Sequence, residues 1–345
     1  MATSQRESET YTVGIVGATG LVGREIARLL AERRFPVEDL LLFATEDSEG
    51  TRVAVGEDQV SVKVLRSGWH GAVDLVFLAV PPDVAAVEGR AAAAEGIAVI
   101  DVSSAHRFDP DALLCVPEIN GAALDEHGGI IACPSAPVAP LAVALAAVID
   151  PRQIERIAVT VLLPASEGGI HAMEELSDQS IALFNQKDMP LQHFPERLAF
   201  NAIPVVGTLG PDGEATAEAS LRAELRSLFS APGLDVIATV VRVPLFSGQA
   251  ASVVVDCRTP VDRQALRARL SASLGSHGVE LVDEGHASEQ PLPGTVSEVD
   301  AVQVGRVRTH GPRTFSLWVV SDNLRKGSAL NAVQIAERLV ADGLL

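Results

Sequence analysis

The sequence predicts an α/β chain, with a doubly wound, Rossmann-like domain followed by an α+β segment whose sheet is mixed or antiparallel. Three observations predict it. A short β-type run, Tyr11–Val16, passes directly into the glycine turn Gly17-Ala18-Thr19-Gly20-Leu21-Val22-Gly23 and then into a helical pattern, REIARLLAER. Residues 73–80 and 97–102 are near-continuous aliphatic runs joined by an alanine-rich helix at 85–94, the composition of parallel strands buried on both faces. After Asp150-Pro151 the pattern changes to strands at Ile154–Leu163, 236–246, 251–257, 302–307 and 314–320, with helices at 169–184, 214–229 and 262–274.

A chain of 345 residues is long enough for two domains. Hydrophobic residues at 47% against 21% charged supply an ample core. The formal net charge of -18 argues against nucleic acid and anionic membrane faces as partners. The three cysteines, Cys115, Cys133 and Cys257, show no CxxC and no metal spacing, so no metal site is expected. A polar start, MATSQRESET, lacks the layout of a signal peptide, and the longest apolar run, 136–149, is shorter than a membrane span. The expectation is a cytoplasmic protein. Residues 186–213, with four prolines, read as a long connection, and 276–294 as loop-rich.

The glycine turn has a chemical reading. Glycines let the backbone turn tightly and approach a pyrophosphate, whose charge then rests on the helix N-terminus. The plainer reading is an ordinary strand-to-helix turn. The next strand, about residues 40–44, ends in Thr45-Glu46-Asp47. A carboxylate there accepts hydrogen bonds from the ribose hydroxyls of NAD and repels the 2′-phosphate of NADP; otherwise the acidic pair is a solvated loop. Ser103-Ser104-Ala105-His106-Arg107 follows a strand at its carboxyl end, where open α/β sheets bind ligands.

Residues 130–140, IIACPSAPVAP, organise the middle of the chain. An apolar run makes a Pro-Ser turn and enters an Ala/Leu/Val-rich helix. An anionic nucleophile seated at such an entrance has its pKa lowered by the unpaired N–H groups and the helix dipole. Ala136 stands there. Cys133 lies three residues earlier, at the strand end, where a cysteine is more often a small buried hydrophobe than a reactive thiol. Ser135 has no identified base. His106 and His171 are the histidines nearest the expected cleft, neither with a partner at metal-ligand spacing. Ser166-Glu167-Gly168-Gly169 reads as the cap of the following helix.

With these pieces placed, the chain resembles the aspartate-semialdehyde dehydrogenase family over essentially its whole length. The matching segments are GIVGATGLVG, SSAHRF, VPEIN, VRVPLFSG and SDNLRKGSALNAVQIAERL, in that order. The resemblance implies a Rossmann-like NAD(P)-binding domain, 1–135 completed by the C-terminal helix at 328–345, and a dimerisation domain, 136–327, whose sheet builds a homodimer. It implies a thiol reaction: a cysteine adds to an aldehyde, hydride passes to NADP, and phosphate releases an acyl phosphate. Carried across residue by residue, the roles break. The nucleophile position is Ala136, the orienting glutamine falls on Leu163, and the acid/base histidine falls on Gln249. A glutamate–lysine pair that helps hold substrate falls near Ala217 and Ser220, and an NADP-phosphate arginine falls on Asp47. Arg107 for phosphate, Arg242 for the substrate carboxylate, the turn Gly17, Thr19, Gly20, Leu21, Val22, and Asn323 beside the nicotinamide survive. Similar substitutions mark a Usg-type branch of the family, which this chain resembles. The expected function is a catalytically inactive, dimeric nucleotide- or metabolite-binding homologue, taking a small anionic metabolite. NAD is favoured over NADP, and loss of both is the remaining expectation. The alternative is an active NAD(P)-dependent oxidoreductase of amino-acid biosynthesis with altered chemistry.

Overall fold

The computed structural model describes residues 10–283 and 285–345; the polar stretch 1–9 read above for targeting, and Glu284, lie outside the described residues. The chain forms two compact units, one running to Cys133 and taking in Ala329–Leu345, the other Pro134–Ser328.

The first unit is a doubly wound sheet. In chain order it contains β1 (Tyr11–Val16), α1 (Leu21–Glu32), β2 (Val37–Ala44), β3 (Arg52–Val55), β4 (Asp58–Val64), β5 (Leu75–Leu78), α2 (Pro82–Ala94), β6 (Ala98–Asp101), β7 (Leu113–Leu114), α3 (Pro117–Asn120) and β8 (Ile130–Ala132). The sheet order is β3-β4-β2-β1-β5-β6-β8-β7, and every pairing is parallel except β3 with β4. Strand order therefore reverses between β1 and β5, which is where such sheets bind ligands. Alternate side chains feed two cores. Val13, Ile15, Leu75, Phe77 and Ile100 pack with α1 and the C-terminal helix, Leu330–Asp342. Val16, Val76, Leu78 and Val99 pack with Ala85 and Ala92 of α2 on the other face. A strand buried on both faces must be apolar at every position, which is why these runs read so clearly. The C-terminal helix is joined to this unit by Arg33, bidentate to Glu337 at 2.8 Å, and by Asn331, whose Nδ2 donates to the Cys115 carbonyl.

The second unit contains α4 (Val138–Val148), β9 (Ile154–Leu163), α5 (Ile170–Phe184), α6 (Thr216–Leu228), β10 (Asp235–Arg242), β11 (Gln249–Cys257), α7 (Arg263–Ser271), β12 (Val279–Leu281), β13 (Val302–Thr309) and β14 (Thr314–Ser321). Its sheet, ordered β10-β9-β11-β14-β13-β12, is mixed: β9 with β10 and β12 with β13 are parallel, the rest antiparallel. One face carries Ile157, Val159, Val161, Val253, Val255 and Leu317, all buried. The other presents Ala158, Thr160 and Leu162 beside Ile237, Val241 and Val254 in register. Ile237 and Val254 are 48% and 38% exposed. Helix α4 is buried nearly all round.

Three local expectations are corrected. The strand at 236–246 ends at Arg242, because Pro244 has no N–H to continue a ladder. Within the loop-rich 276–294 lies β12, a three-residue strand. Helix α4 starts at Val138 with Pro137 as its N-cap, so Ala136 precedes the helix by two residues.

Candidate functional site

The glycine turn is shaped by backbone packing. Gly17 has φ +89°, and a Cβ there would stand 2.1 Å from the Ala79 carbonyl oxygen, just past β5. A Cβ on Gly23 would stand 2.2 Å from the Gly17 carbonyl oxygen. Glycine is therefore obligatory at both, one for the turn and one for close helix packing. Gly20, the N-cap of α1, differs: a Cβ there would meet only the Gly17 carbonyl oxygen, at 3.5 Å. Its outer side is open to close approach by a ligand, and no side chain caps the helix. Leu21 and Val22 form the first helical positions, so their N–H groups belong to the orphan set at a helix start. The geometry fits a dinucleotide pyrophosphate.

Beside this turn, the N–H groups of Gly17 and Ala18 donate to the Phe43 carbonyl of β2. Glu46 and Asp47 lie in the single 3₁₀ turn that follows β2, and both are exposed. The last residue of that turn, Ser48, places its Oγ 3.5 Å from Thr19 Oγ1. The acidic turn and the glycine turn are thus neighbours.

At the end of β6 the buried carboxylate of Asp101 organises the following loop, accepting from the N–H groups of Ser103 and His106 at 2.8 and 3.2 Å. It also bonds His106 Nδ1 at 2.8 Å. His106 is fully buried against Gly89 of α2, away from any open surface, and its Nε2 has no partner among the described residues. Arg107 donates to the carbonyl oxygens of Cys133 (3.1 Å) and Val102 (3.4 Å). Cys133 is itself wholly buried.

In the second unit, Ala136 and Gln249 come together. Gln249, at the start of β11, donates its Nε2 to the Ala136 carbonyl at 2.6 Å and to Ser321 Oγ at 3.1 Å. The Ala136 carbonyl only accepts, so the amide orientation is determined. Gln249 Oε1 is left buried without a partner among the described residues. The preceding turn is held by Glu224 of α6, a fully buried carboxylate that accepts from Ser135 N (2.6 Å), Ser135 Oγ (3.0 Å) and Ser220 Oγ (2.7 Å). Leu163 ends β9, buried and in register with Arg242 of β10. Asn323 is consumed internally: its Oδ1 accepts from Gly248 N at 3.0 Å and its Nδ2 donates to Ser166 Oγ at 3.0 Å.

Arg242 lines a cavity of about 490 Å³ together with Phe194, Ile203, Val206 and His193. The guanidinium lies 5.6 Å from the centroid of the Phe194 ring. Its Nη2 donates to Glu167 Oε2 at 2.5 Å. Glu167 was expected as part of a helix cap, but the turn that carries it is pinned by Ala165 and Ser166 N–H bonds to the Leu245 and Phe246 carbonyls, which brings its carboxylate to Arg242. His171 lies exposed on α5, paired with Glu174 and stacked on His193 at 5.8 Å.

Family models describe both units. Residues 12–127 match "Semialdehyde dehydrogenase, NAD binding domain" and residues 145–326 match "Semialdehyde dehydrogenase, dimerisation domain". The chain is 37% identical to an aspartate-semialdehyde dehydrogenase of Aquifex aeolicus, over 97% of this chain and 99% of that one. The chain belongs to the aspartate-semialdehyde dehydrogenase family. Vibrio cholerae aspartate-semialdehyde dehydrogenase II, solved in complex with ASA, superposes with a TM-score of 0.92 at 35% identity, covering 97% of this chain and 99% of that one. The NADP complex from Candida albicans shares the fold, at a TM-score of 0.73 and 20% identity, covering 97% of this chain and 100% of that one.

Membership makes the first unit an NAD(P)-binding domain, in agreement with the open Gly20. Ala136, Gln249 and Leu163 present a methyl, an amide and an isobutyl side chain. Sequence reasoning missed Glu167 and Glu224 as site residues. Glu167 meets a residue 75 positions away, and Glu224 one 89 positions away, so no local pattern points to either contact. Among the described residues no group of three or more His, Cys, Asp or Glu could hold a metal ion, and no helix is long and apolar enough to cross a membrane.

Proposed function

We propose that this family member has lost the thiol chemistry and acts as a dimeric, NAD(P)-type nucleotide- or metabolite-binding protein of the cytoplasm, in the manner of a Usg-type branch. The carrying observation is Gln249 hydrogen-bonded to the Ala136 carbonyl. Where the family mechanism needs a thiolate facing an imidazole, this chain has a methyl group and an amide bonded to backbone. Alanine supplies no nucleophile, and an amide exchanges no proton near neutral pH. Loss of one member of such a catalytic unit costs on the order of 10⁶ in rate, and further losses add little. The buried Cys133 does not substitute for it, because a reactive thiol needs exposure and an electropositive setting. Arg107 and Arg242 remain as the binding groups for anionic or polar ligand parts.

For the cofactor, Glu46 and Asp47 beside the glycine turn favour NAD over NADP. The dimer is supported by the dimerisation-domain match and by the exposed Ile237 and Val254 on the outer face of the second unit's sheet. An active oxidoreductase with altered chemistry is the second reading, favoured by the 37% identity to a named dehydrogenase. A turnover assay separates the two. Purified protein with β-aspartyl phosphate and either reduced nicotinamide cofactor is expected to give no enzymatic rate. A turnover of roughly 1–10 s⁻¹, the ordinary enzyme range, that survives Cys133→Ser overturns the proposal.

A further inference from the structure

We propose that Glu167 is a built-in occupant of Arg242, and that it turns the cavity beside this arginine from a carboxylate site into one that takes uncharged carbonyl compounds such as amides. The inference deepens the ligand-binding half of the function proposed above and does not depend on the absence of turnover.

Four observations carry it. The Arg242 side chain is 14% exposed and Glu167 35%, so the guanidinium is largely withdrawn from water and the charges of the pair are partly screened. Glu167 Oε2 already holds Nη2, and the Pro164 carbonyl lies 3.4 Å from Nη1, so the arginine presents a neutralised head to the cavity. Its Nε–H has no partner among the described residues and can donate to a carbonyl oxygen. The other lining residues, among them the neutral amide Gln192 and the apolar Phe194, Ile203 and Val206, add no fixed positive charge, and His193 is the other titratable group that lines the space.

The cavity is also built rather than incidental. Buried Glu175 of α5 accepts from the N–H groups of Gln192 (2.8 Å), His193 (2.6 Å) and Phe194 (3.4 Å). One turn further on, Gln179 donates to the Pro190 carbonyl and accepts from Leu198 and Ala199 N–H. These two side chains fix the loop that sets Phe194 under the guanidinium. A second carboxylate brought to Arg242 would sit against Glu167 without a second cation to compensate, whereas a neutral carbonyl meets no such repulsion.

The test compares succinate and succinamide, matched in size, by isothermal titration against the unaltered protein, Glu167→Gln and Glu167→Ala. Glu174→Gln, an exposed change on the neighbouring helix, serves as control, and thermal melts confirm that each variant folds. The unaltered protein is expected to bind succinamide at least as tightly as succinate. Both Glu167 variants are expected to raise succinate affinity by about tenfold with succinamide unchanged, the order set by removing one partly screened unit charge. Succinate bound tenfold tighter than succinamide by the unaltered protein overturns the proposal. So does an unchanged ratio in the variants, binding of neither probe by any of the proteins, or equal weakening of both, which would make Glu167 a residue that merely positions Arg242.

Discussion

The glycine turn of the first unit and the Cys133–Val138 turn leading into the second are built on different constraints. Both precede a helix. In the glycine turn the functional feature is backbone: Gly17 and Gly23 exist because any side chain would strike a carbonyl oxygen. At those two positions function and packing make the same demand, so neither glycine can be replaced without damaging the fold. Around Ala136 the functional feature would be side chains, and the backbone is indifferent to them. Glu224 holds Ser135, Gln249 holds the Ala136 carbonyl, and the turn stands complete without a thiol. A feature required by packing constrains its residue, whereas one required by chemistry alone leaves the fold free to stand without it.

The comparison can be broken most sharply within the glycine turn itself. Gly17→Ala forces a Cβ against an immovable backbone at positive φ, and a loss of about 3 kcal/mol or more in unfolding free energy is expected by denaturant titration. Gly20→Ala should cost about 1 kcal/mol or less, since that position is extended and open, yet it should abolish dinucleotide binding. Equal destabilisation by both changes would contradict the division between packing and ligand glycines.

In the second unit, Ala136→Cys, Leu163→Gln and Gln249→His made together are expected to give measurable β-aspartyl phosphate reduction. Each made alone should leave the rate at background, because members of a catalytic unit act together. Activity from Ala136→Cys alone would show that the other two positions matter less than argued. A smaller effect concerns the cofactor. NAD is expected to bind several-fold tighter than NADP, about 1 kcal/mol after screening at an exposed loop, with the order reversed by Asp47→Arg. Titration showing equal or tighter NADP binding would mean that Asp47 points away from the ribose.

The smallest effect is a pH dependence. Burial lowers the pKa of His127 below its ordinary 6.5, and its Nδ1 accepts the Gly129 N–H, which requires the unprotonated ring. The unfolded chain then binds the proton more readily, so this residue's contribution to stability is present above about pH 6.5 and declines as pH falls below it. His127→Gln should flatten that part of the stability curve. In the same range of modest effects, Cys257, pushed up to about 11 mainly by burial, should resist alkylation until the protein unfolds.

Much of the fold was legible because the central strands of the first unit are buried on both faces and β9 alternates between a buried and a more exposed face. Residues 154–163 and the helix at 169–184 stand almost where periodicity puts them. The edge hairpin β3–β4 escaped because one face is polar and the runs are short: Val53 and Val62 are its buried anchors. The site was less legible. Ala136, Leu163 and Gln249 could be singled out only through the family resemblance, which proposes a role for each position. Glu167 on Arg242, Glu175 on the 192–194 backbone and Glu224 on Ser135 could not, because acidic residues in helices and turns ordinarily read as solvated. What distinguishes them is a partner distant in sequence, together with burial for Glu175 and Glu224, and both appear only once the chain is folded.

Intact mass spectrometry after incubation with β-aspartyl phosphate shows directly whether a thioester forms on this protein. The expected spectrum shows the unmodified polypeptide alone, while Ala136→Cys provides a protein in which an acyl adduct at residue 136 would be seen. An aspartyl adduct on the unaltered chain that disappears in Cys133→Ser would contradict the account and make the displaced cysteine the nucleophile.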